Sequence, residues 1–428
     1  MRRAMILLGA LYFLLPAGPA WSQPDDLLPA GENLTLTRAL ALASEHNPTL
    51  AAFGEELRAK DATALQAGLL PNPELAIEVE NFAGEDELEG LDGAETTIAL
   101  AQLVELGGKR SKRRQVAGYD KDLAGWDYQA RKLDLLAGTA KAFIQLLAAQ
   151  QSLAQAGELA RLSEQVFEAV AARVEAGKVP PVEQTRAQVE LAAARTAAFR
   201  AGRDLEAARR RLAAFWGEER PAFARALGDL TAIAPLPAEE QFAAQLANNP
   251  DLARWGSELE QREASLALAR SAAIPDLTLS LGVRNSQESD SNALVAGIEL
   301  PLPLFDRNQG GIREARAILE KARAERRAAA SEARAGLAEA WQNLAAAHAE
   351  ASALRDEILP GAQSAFESTE FAYREGKFDF LQMLDAQRTL FEVRSQYLQA
   401  LTSYHLARTE AKRLIGAPLH DLLETADK

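Results

Sequence analysis

The chain has 428 residues, 48% of them hydrophobic and 25% charged, with a formal net charge of −14. That length leaves room for two or three domains, the apolar fraction excludes wholesale disorder, and the acidic balance disfavours nucleic acid, which demands a basic partner. Cysteine is absent and the four histidines (His46, His348, His405, His420) include no i, i+4 pair, so no disulfide, metal centre or cofactor is expected.

Residues 1–22 read as an export signal. Arg2 and Arg3 precede an apolar run from Ala4 to Leu15, and Ala20 and Ser22 supply the small residues of a cleavage site. Pro16 and Pro19 stop the run well short of the roughly 18 apolar residues that a membrane anchor needs. Removing this segment takes two arginines and moves the formal charge from −14 to −16. Nothing downstream approaches a transmembrane helix.

The remainder repeats itself, a feature to be sought before any other. Phe167-Glu168, Gly177-Lys178 and Ala187-Gln188 recur 199 residues later as Phe366-Glu367, Gly376-Lys377 and Ala386-Gln387. Asn47-Pro48 and Pro73-Glu74-Leu75 recur 202 residues later as Asn249-Pro250 and Pro275-Asp276-Leu277. The spacing divides the chain into a first repeat at 23–233, a second at 234–416 and a short C-terminal tail at 417–428. Each repeat opens with a helical stretch (about 34–69 and 238–273) and continues with a β-hairpin (about 73–104 and 275–302). A long helical hairpin closes it.

The hairpin strands alternate at period two. Leu75, Ile77 and Val79 alternate with Glu78 and Glu80, and Leu277, Leu279, Leu281 and Val283 with Thr278, Ser280 and Arg284. Runs of this length joined by polar loops fit a transmembrane β-hairpin or a surface hairpin on a soluble domain, and the strands alone do not decide. The helices are plainer. No proline interrupts the chain from Glu74 to Val179, and a helix from near Lys109 to near Ala176 would run roughly 100 Å. Leu133, Leu136, Ala140, Phe143 and Leu147 form one apolar stripe. Leu384, Phe391, Leu398 and His405 fall at sevens, a coiled-coil seam on which His405 reads as a packing residue.

One chain thus offers four strands of membrane-spanning length, and the smallest closed transmembrane barrels use about eight. If these strands enter a membrane, chains must pool them. Two would make a narrow, filled barrel, and three would make twelve strands with room for a lumen. The expected fold is mainly α with a small β part: a long α-helical barrel plus a transmembrane β-barrel formed by a trimer, each chain internally duplicated.

In this layout, in the two Asn-Pro pairs and in the tips Arg173–Lys178 and Tyr373–Lys377, the chain resembles the outer-membrane factors, or TolC-like efflux channels. The stretch Glu105-Leu106-Gly107-Gly108-Lys109-Arg110 is similar to the CzcC-type cation-efflux branch. The resemblance implies a homotrimer in the outer membrane of a Gram-negative bacterium, extending into the periplasm. It implies the passive exit duct of a tripartite pump, joined by a periplasmic adaptor to an inner-membrane RND transporter. The branch implies divalent cobalt, zinc or cadmium as cargo; the alternative is a duct for drugs or other small molecules. Many relatives are lipidated on an N-terminal cysteine, which this sequence lacks.

The resemblance also implies adaptor docking at Gly177, Lys178, Gly376 and Lys377, whose plainer role is helix reversal. It implies a periplasmic gate of acidic side chains just past the second tip, for which Asp385 and Glu183 are the candidates, with Gln382 where a second acid would stand. A periplasmic coiled-coil adaptor is the rival, but it would not repeat helix, hairpin and tip across two halves. No phosphate loop, histidine cluster or nucleophile elbow marks an enzyme.

Overall fold

The computed structural model describes residues 31–84 and 90–423, so the expected signal segment lies outside the described residues. The first half runs β1 (Leu34–Thr35), α1 (Leu36–His46), α2 (Pro48–Ala67), β2 (Glu74–Glu80), β3 (Glu95–Val104), α3 (Lys109–Glu175) and α4 (Pro181–Ala213). After β4 (Ala226–Leu227) come α5 (Glu239–Ala243), α6 (Pro250–Ser271), β5 (Leu277–Ser286), β6 (Ser291–Glu299), α7 (Gln309–Ala353), α8 (Leu359–Arg374) and α9 (Phe380–Leu414). The protein is mainly helical with a small β part, and the same order of elements occurs twice.

Each opening stretch, expected as one helix, is broken at its Asn-Pro. Proline pushes the residue before it out of the helical region, and Asn47 and Asn249 sit at ψ 120° and 124°. Each asparagine caps the helix that follows, accepting from Leu50 N–H at 2.9 Å or Asp251 N–H at 2.6 Å. Their side-chain amides donate to Phe215 O and Leu414 O, both at 2.8 Å, carbonyls at the far end of the same repeat's last long helix. Asn-Pro therefore ends one helix, starts the next and ties the opening of a repeat to its close.

α3 is an unbroken helix of 67 residues, about 100 Å long. Its counterpart is not continuous: a π-helical turn, Leu354–Ile358, separates α7 from α8. Pro360 explains it, because proline removes one donor to the preceding turn and crowds the carbonyl four residues back, here inside the π turn. α3 packs against α4, α6 and α9, and α9 against α7 and α8, so α4 and the α7–α8 rod flank the bundle.

β2, β3, β5 and β6 form one antiparallel sheet in that order, with the outer edges of β2 and β6 unpaired among the described residues. The second hairpin ends at Glu299, short of the expected 302, because Pro301 and Pro303 offer no ladder donors. Every residue of β2 is exposed.

The main core lies midway along the rods. α3 is buried on nearly all sides from Ala137 to Leu147, wrapped by α1, the parallel pair β1–β4 and α9. The segment after α9, expected as a tail, belongs to this core: Leu419 and Leu422 are buried there. His405 is fully buried, as a packing residue should be; its Nε2–H donates to Leu230 O at 2.9 Å, and its Nδ1 has no hydrogen-bond partner among the described residues. Burial pushes its pKa down to about 4 against the pull of the Leu230 carbonyl. The unfolded chain, with a histidine pKa near 6.5, therefore binds a proton that the native state refuses between about pH 4 and 6.5. This contribution, up to roughly 3 kcal/mol, is complete above pH 6.5 and drains away as pH falls. We expect the unfolding midpoint to drop across that window, and to drop less in His405→Gln; parallel curves would refute the assignment.

Candidate functional site

Both helical hairpins turn at a glycine for the same local reason. Gly177 (φ 67°) and Gly376 (φ 73°) are left-handed, a conformation in which a Cβ is costly. Lys178 N–H reaches back to Arg173 O at 2.9 Å and Gly177 N–H to Val174 O at 2.9 Å. Lys377 N–H reaches Ala372 O at 2.9 Å and Gly376 N–H Tyr373 O at 3.0 Å. These paired bonds consume the last helical carbonyls and leave Lys178 and Lys377 projecting, both exposed.

The fold brings the two tips to one end of the rod. The Arg173 guanidinium lies 5.1 Å from the centre of the Tyr373 ring, which is 6.3 Å from that of Phe380. Beneath them Val170, Ala187, Phe380, Met383 and Leu384 form a second, smaller core. The next helices start differently. Pro181 opens α4, whereas α9 opens with a capping box in which the Asp379 side chain accepts from Gln382 N–H at 2.9 Å and the Gln382 side chain from Asp379 N–H at 3.0 Å. Gln382 thus has a local structural task, legible in Asp379-x-x-Gln382 before an apolar run.

Of the two gate candidates, Asp385 is exposed on the second turn of α9 and Glu183 is half-buried in the first turn of α4. Neither has an ion-pair partner among the described residues. One turn beyond Asp385, Arg388 pairs with Glu190 and ties α9 to α4.

At the other end, the sheet has two unlike faces. Paired positions share a face, so the register puts Leu75, Leu100, Leu281 and Ala296 in one row and Ile77, Ile98, Val283 and Leu294 in the next. These apolar rows are the open side: Leu75 is 67% exposed, Leu281 64% and Leu294 82%. The opposite face carries small and polar residues, and it is the more covered one. Thr97 is buried there, and a Cβ on Gly282 would stand 2.6 Å from Ile98 O. On it Arg284 gathers Glu95 at 3.0 Å, Glu80 at 3.5 Å and the Thr97 hydroxyl at 3.0 Å. Alternation alone did not single out this cluster, because its members come from three strands.

Glu105 to Arg110 form the joint between sheet and rod. Gly107 and Gly108 are both left-handed, and a Cβ on Gly107 would stand 2.8 Å from Ile274. Asp276 accepts from Lys109 at 2.7 Å and Leu106 N–H at 3.0 Å. Burial works to raise its carboxyl, but those two donors outweigh it and hold it below the ordinary range. Arg113 grips Glu105 with both nitrogens and lowers that carboxyl too. At the tip, Gly376→Ala has room for its methyl and pays only in backbone strain, about 1–2 kcal/mol. Hydrogen exchange around residues 373–380 should accelerate by about tenfold, whereas Gly361→Ala inside α8 should leave it unchanged.

Among the described residues no helix is long and apolar enough to cross a membrane, and no group of three or more acidic or histidine side chains is placed to hold a metal ion. The family model for outer membrane efflux protein matches residues 39–218 and 243–417. The cobalt-zinc-cadmium resistance protein CzcC of Cupriavidus metallidurans is 36% identical over 427 residues, 97% of this chain and 100% of that protein. The nickel and cobalt resistance protein CnrC of the same organism is 29% identical over 311 residues, 72% of this chain and 71% of that one. Among solved structures, CusC superposes with a TM-score of 0.75 at 17% identity, covering 94% of this chain and 99% of that one. The open MtrE outer membrane channel of Neisseria gonorrhoeae gives 0.72 at 18%, covering 92% and 91%. These two share the fold; the family match and the identity to CzcC carry the assignment. The chain belongs to the outer membrane efflux protein family.

Proposed function

We propose that this protein is the outer-membrane channel of a tripartite efflux system. It is a passive exit duct for divalent heavy-metal cations such as cobalt, zinc and cadmium, delivered by an inner-membrane RND transporter through a periplasmic adaptor. Three copies pool their four strands into one barrel in the outer membrane of a Gram-negative bacterium, and their rods continue as a helical cylinder into the periplasm. The repeats at 23–233 and 234–416 give that cylinder a pseudo-sixfold wall.

The observation that carries this reading is the sheet: an exposed apolar face, a polar face that is the more covered of the two, and two edges unpaired among the described residues. Lipid outside, water inside and strands from neighbours satisfy all three at once. The rods have open flanks as well. On α4, Val182 is 52% exposed, Val189 60% and Phe199 73%, and on α8 Phe371 is 64% exposed. Apolar side chains left in water on both outer rods suit a seam with the next copy. Adaptor hairpins dock at Gly177, Lys178, Gly376 and Lys377, which share one end of the rod. Three copies of Asp385, with Glu183 as the second candidate, repel one another at the periplasmic mouth, and their summed negative charge attracts cations there.

The extensive identity to CzcC supports a metal cargo. A duct for other small molecules has weaker support, in the pyoverdine export protein OpmQ of Pseudomonas putida at 25% identity over 413 residues. The purified protein should be a detergent-dependent trimer that forms channels in planar bilayers. Asp385→Ala should raise single-channel conductance and weaken block by multivalent cations; unchanged values would remove Asp385 from the gate. In its native host, deleting the gene should lower tolerance to zinc, cobalt and cadmium severalfold and leave drug tolerance intact. The reverse pattern would sink the metal cargo, and a water-soluble monomer would sink the channel.

A further inference from the structure

The order β2-β3-β5-β6 leaves β2 at one edge of the sheet and β6, antiparallel to it, at the other. If copies join edge to edge, β6 of one chain lies beside β2 of the next. The residues that follow β6 then lie beside the residues that precede β2. Both segments are apolar and uncovered in the single chain. Before β2, Leu69 is 49% exposed and Leu70 65%; after β6, Leu302 is 71%, Leu304 65% and Phe305 91%.

β3 runs three residues past Ala101, the partner of Glu74 at the start of β2. The corner this leaves is a cleft of about 610 Å³ lined by Leu70, Leu103, Val104, Arg110, Ser111 and Arg114. Arg110 and Arg114 stand one helical turn apart, both exposed and without an ion-pair partner among the described residues. An aromatic ring entering there meets Leu70, Leu103 and Val104, beside Gln102 and Glu105, under a guanidinium rim. Phe305 is presented rather than free. Its carbonyl accepts from the Gln309 side chain at 3.1 Å, Leu304 N–H bonds Leu302 O at 2.8 Å, and the Arg307 Nε–H bonds Pro303 O at 3.1 Å. A loop pinned from within loses little entropy on docking.

We propose that Phe305 of one copy seats in the Leu70–Leu103 cleft of the next, locking the ring of chains at the level where sheet becomes rod. The inference rests on the trimer reading above and adds to it a specific knob and socket.

The absence of native cysteine makes the test direct. Within one chain β2 and β6 are three strand spacings apart, roughly 14 Å, beyond the roughly 7 Å Cα separation that a disulfide tolerates. Mild oxidation of the full-length Leu70→Cys/Phe305→Cys protein in detergent should therefore give covalent dimers and trimers on denaturing electrophoresis, while each single variant runs as a monomer. A trimer by light scattering that yields no covalent ladder overturns the docking and leaves the trimer standing. A monomer by light scattering removes the trimer reading and this proposal with it. Should the double variant fail to fold, a nitroxide on Phe305→Cys in phospholipid vesicles decides. Collision with lipid-dissolved oxygen several-fold less frequent than for a label on Leu294→Cys supports a seated ring; equal collision overturns it in favour of a lipid contact.

Discussion

The backbone at the two sheet edges governs what this chain can be. A strand of nine residues such as β6 turns roughly four N–H and C=O pairs away from its neighbour. In hydrocarbon each unsatisfied group costs several kcal/mol, so one open edge forfeits more than the roughly 5–15 kcal/mol by which a whole domain is stable. The exposed Leu and Ile rows say that this sheet avoids water; its edges say that it cannot enter lipid alone. Assembly and insertion are therefore one event in the proposed channel, and the strands depend on the helices to bring three copies together. The joint at Gly107–Lys109, with its Asp276 and Glu105 ion pairs, fixes each sheet to its own rod so that ordering one orders the other.

Duplication supplies the wall, but the halves have kept only what the geometry enforces. Both keep the glycine at the tip and the Asn-Pro tie, each of which meets a backbone requirement that few residues can satisfy. Elsewhere they diverge. Gly108 before α3 is replaced by Asn308 before α7, which also adopts a left-handed φ of 52°. Pro181 starts one descending helix and an Asp379–Gln382 box the other. One rod is continuous and the other carries a π turn. A cylinder of such pairs alternates two slightly unequal walls, with the second tip bearing the exposed Asp385.

Features governed by nearest neighbours in sequence were legible before the structure. Left-handed glycines, strands at period two and a rod free of proline each leave a mark within a few residues. The signal for the π turn was also present, in Pro360, though proline reads equally as a helix end. The Asn47 and Asn249 amides were not legible as ties, because their carbonyl partners lie 168 and 165 residues away. Leu419 and Leu422 read as a tail because two leucines beside Pro418 make no period of their own; only the cavity they fill shows their task. Whether the strands met lipid or water was undecidable from alternation, which is the same in both cases. What separates the cases is that no other element among the described residues covers the apolar face.

The proposed conduit for cations would also have to avoid holding them, and the distribution of acids bears on that. Several carboxylates along the described rods are bonded to cations of the protein itself: Glu190 to Arg388, Glu158 to Arg394 and Glu164 to Arg195. On the polar face of the sheet, Arg284 takes up Glu80 and Glu95 together. A carboxylate already bonded to a guanidinium is a poor ligand for a divalent ion, since coordination would first have to break that pair. Conduction needs sites that attract an ion without retaining it, and a diffuse acidic field in which these acceptors are already occupied suits that condition. In the channel proposed above, the choice between cobalt, zinc and cadmium would belong to the transporter that loads the duct, and Asp385, without an ion-pair partner among the described residues, would act on charge rather than on chemical identity.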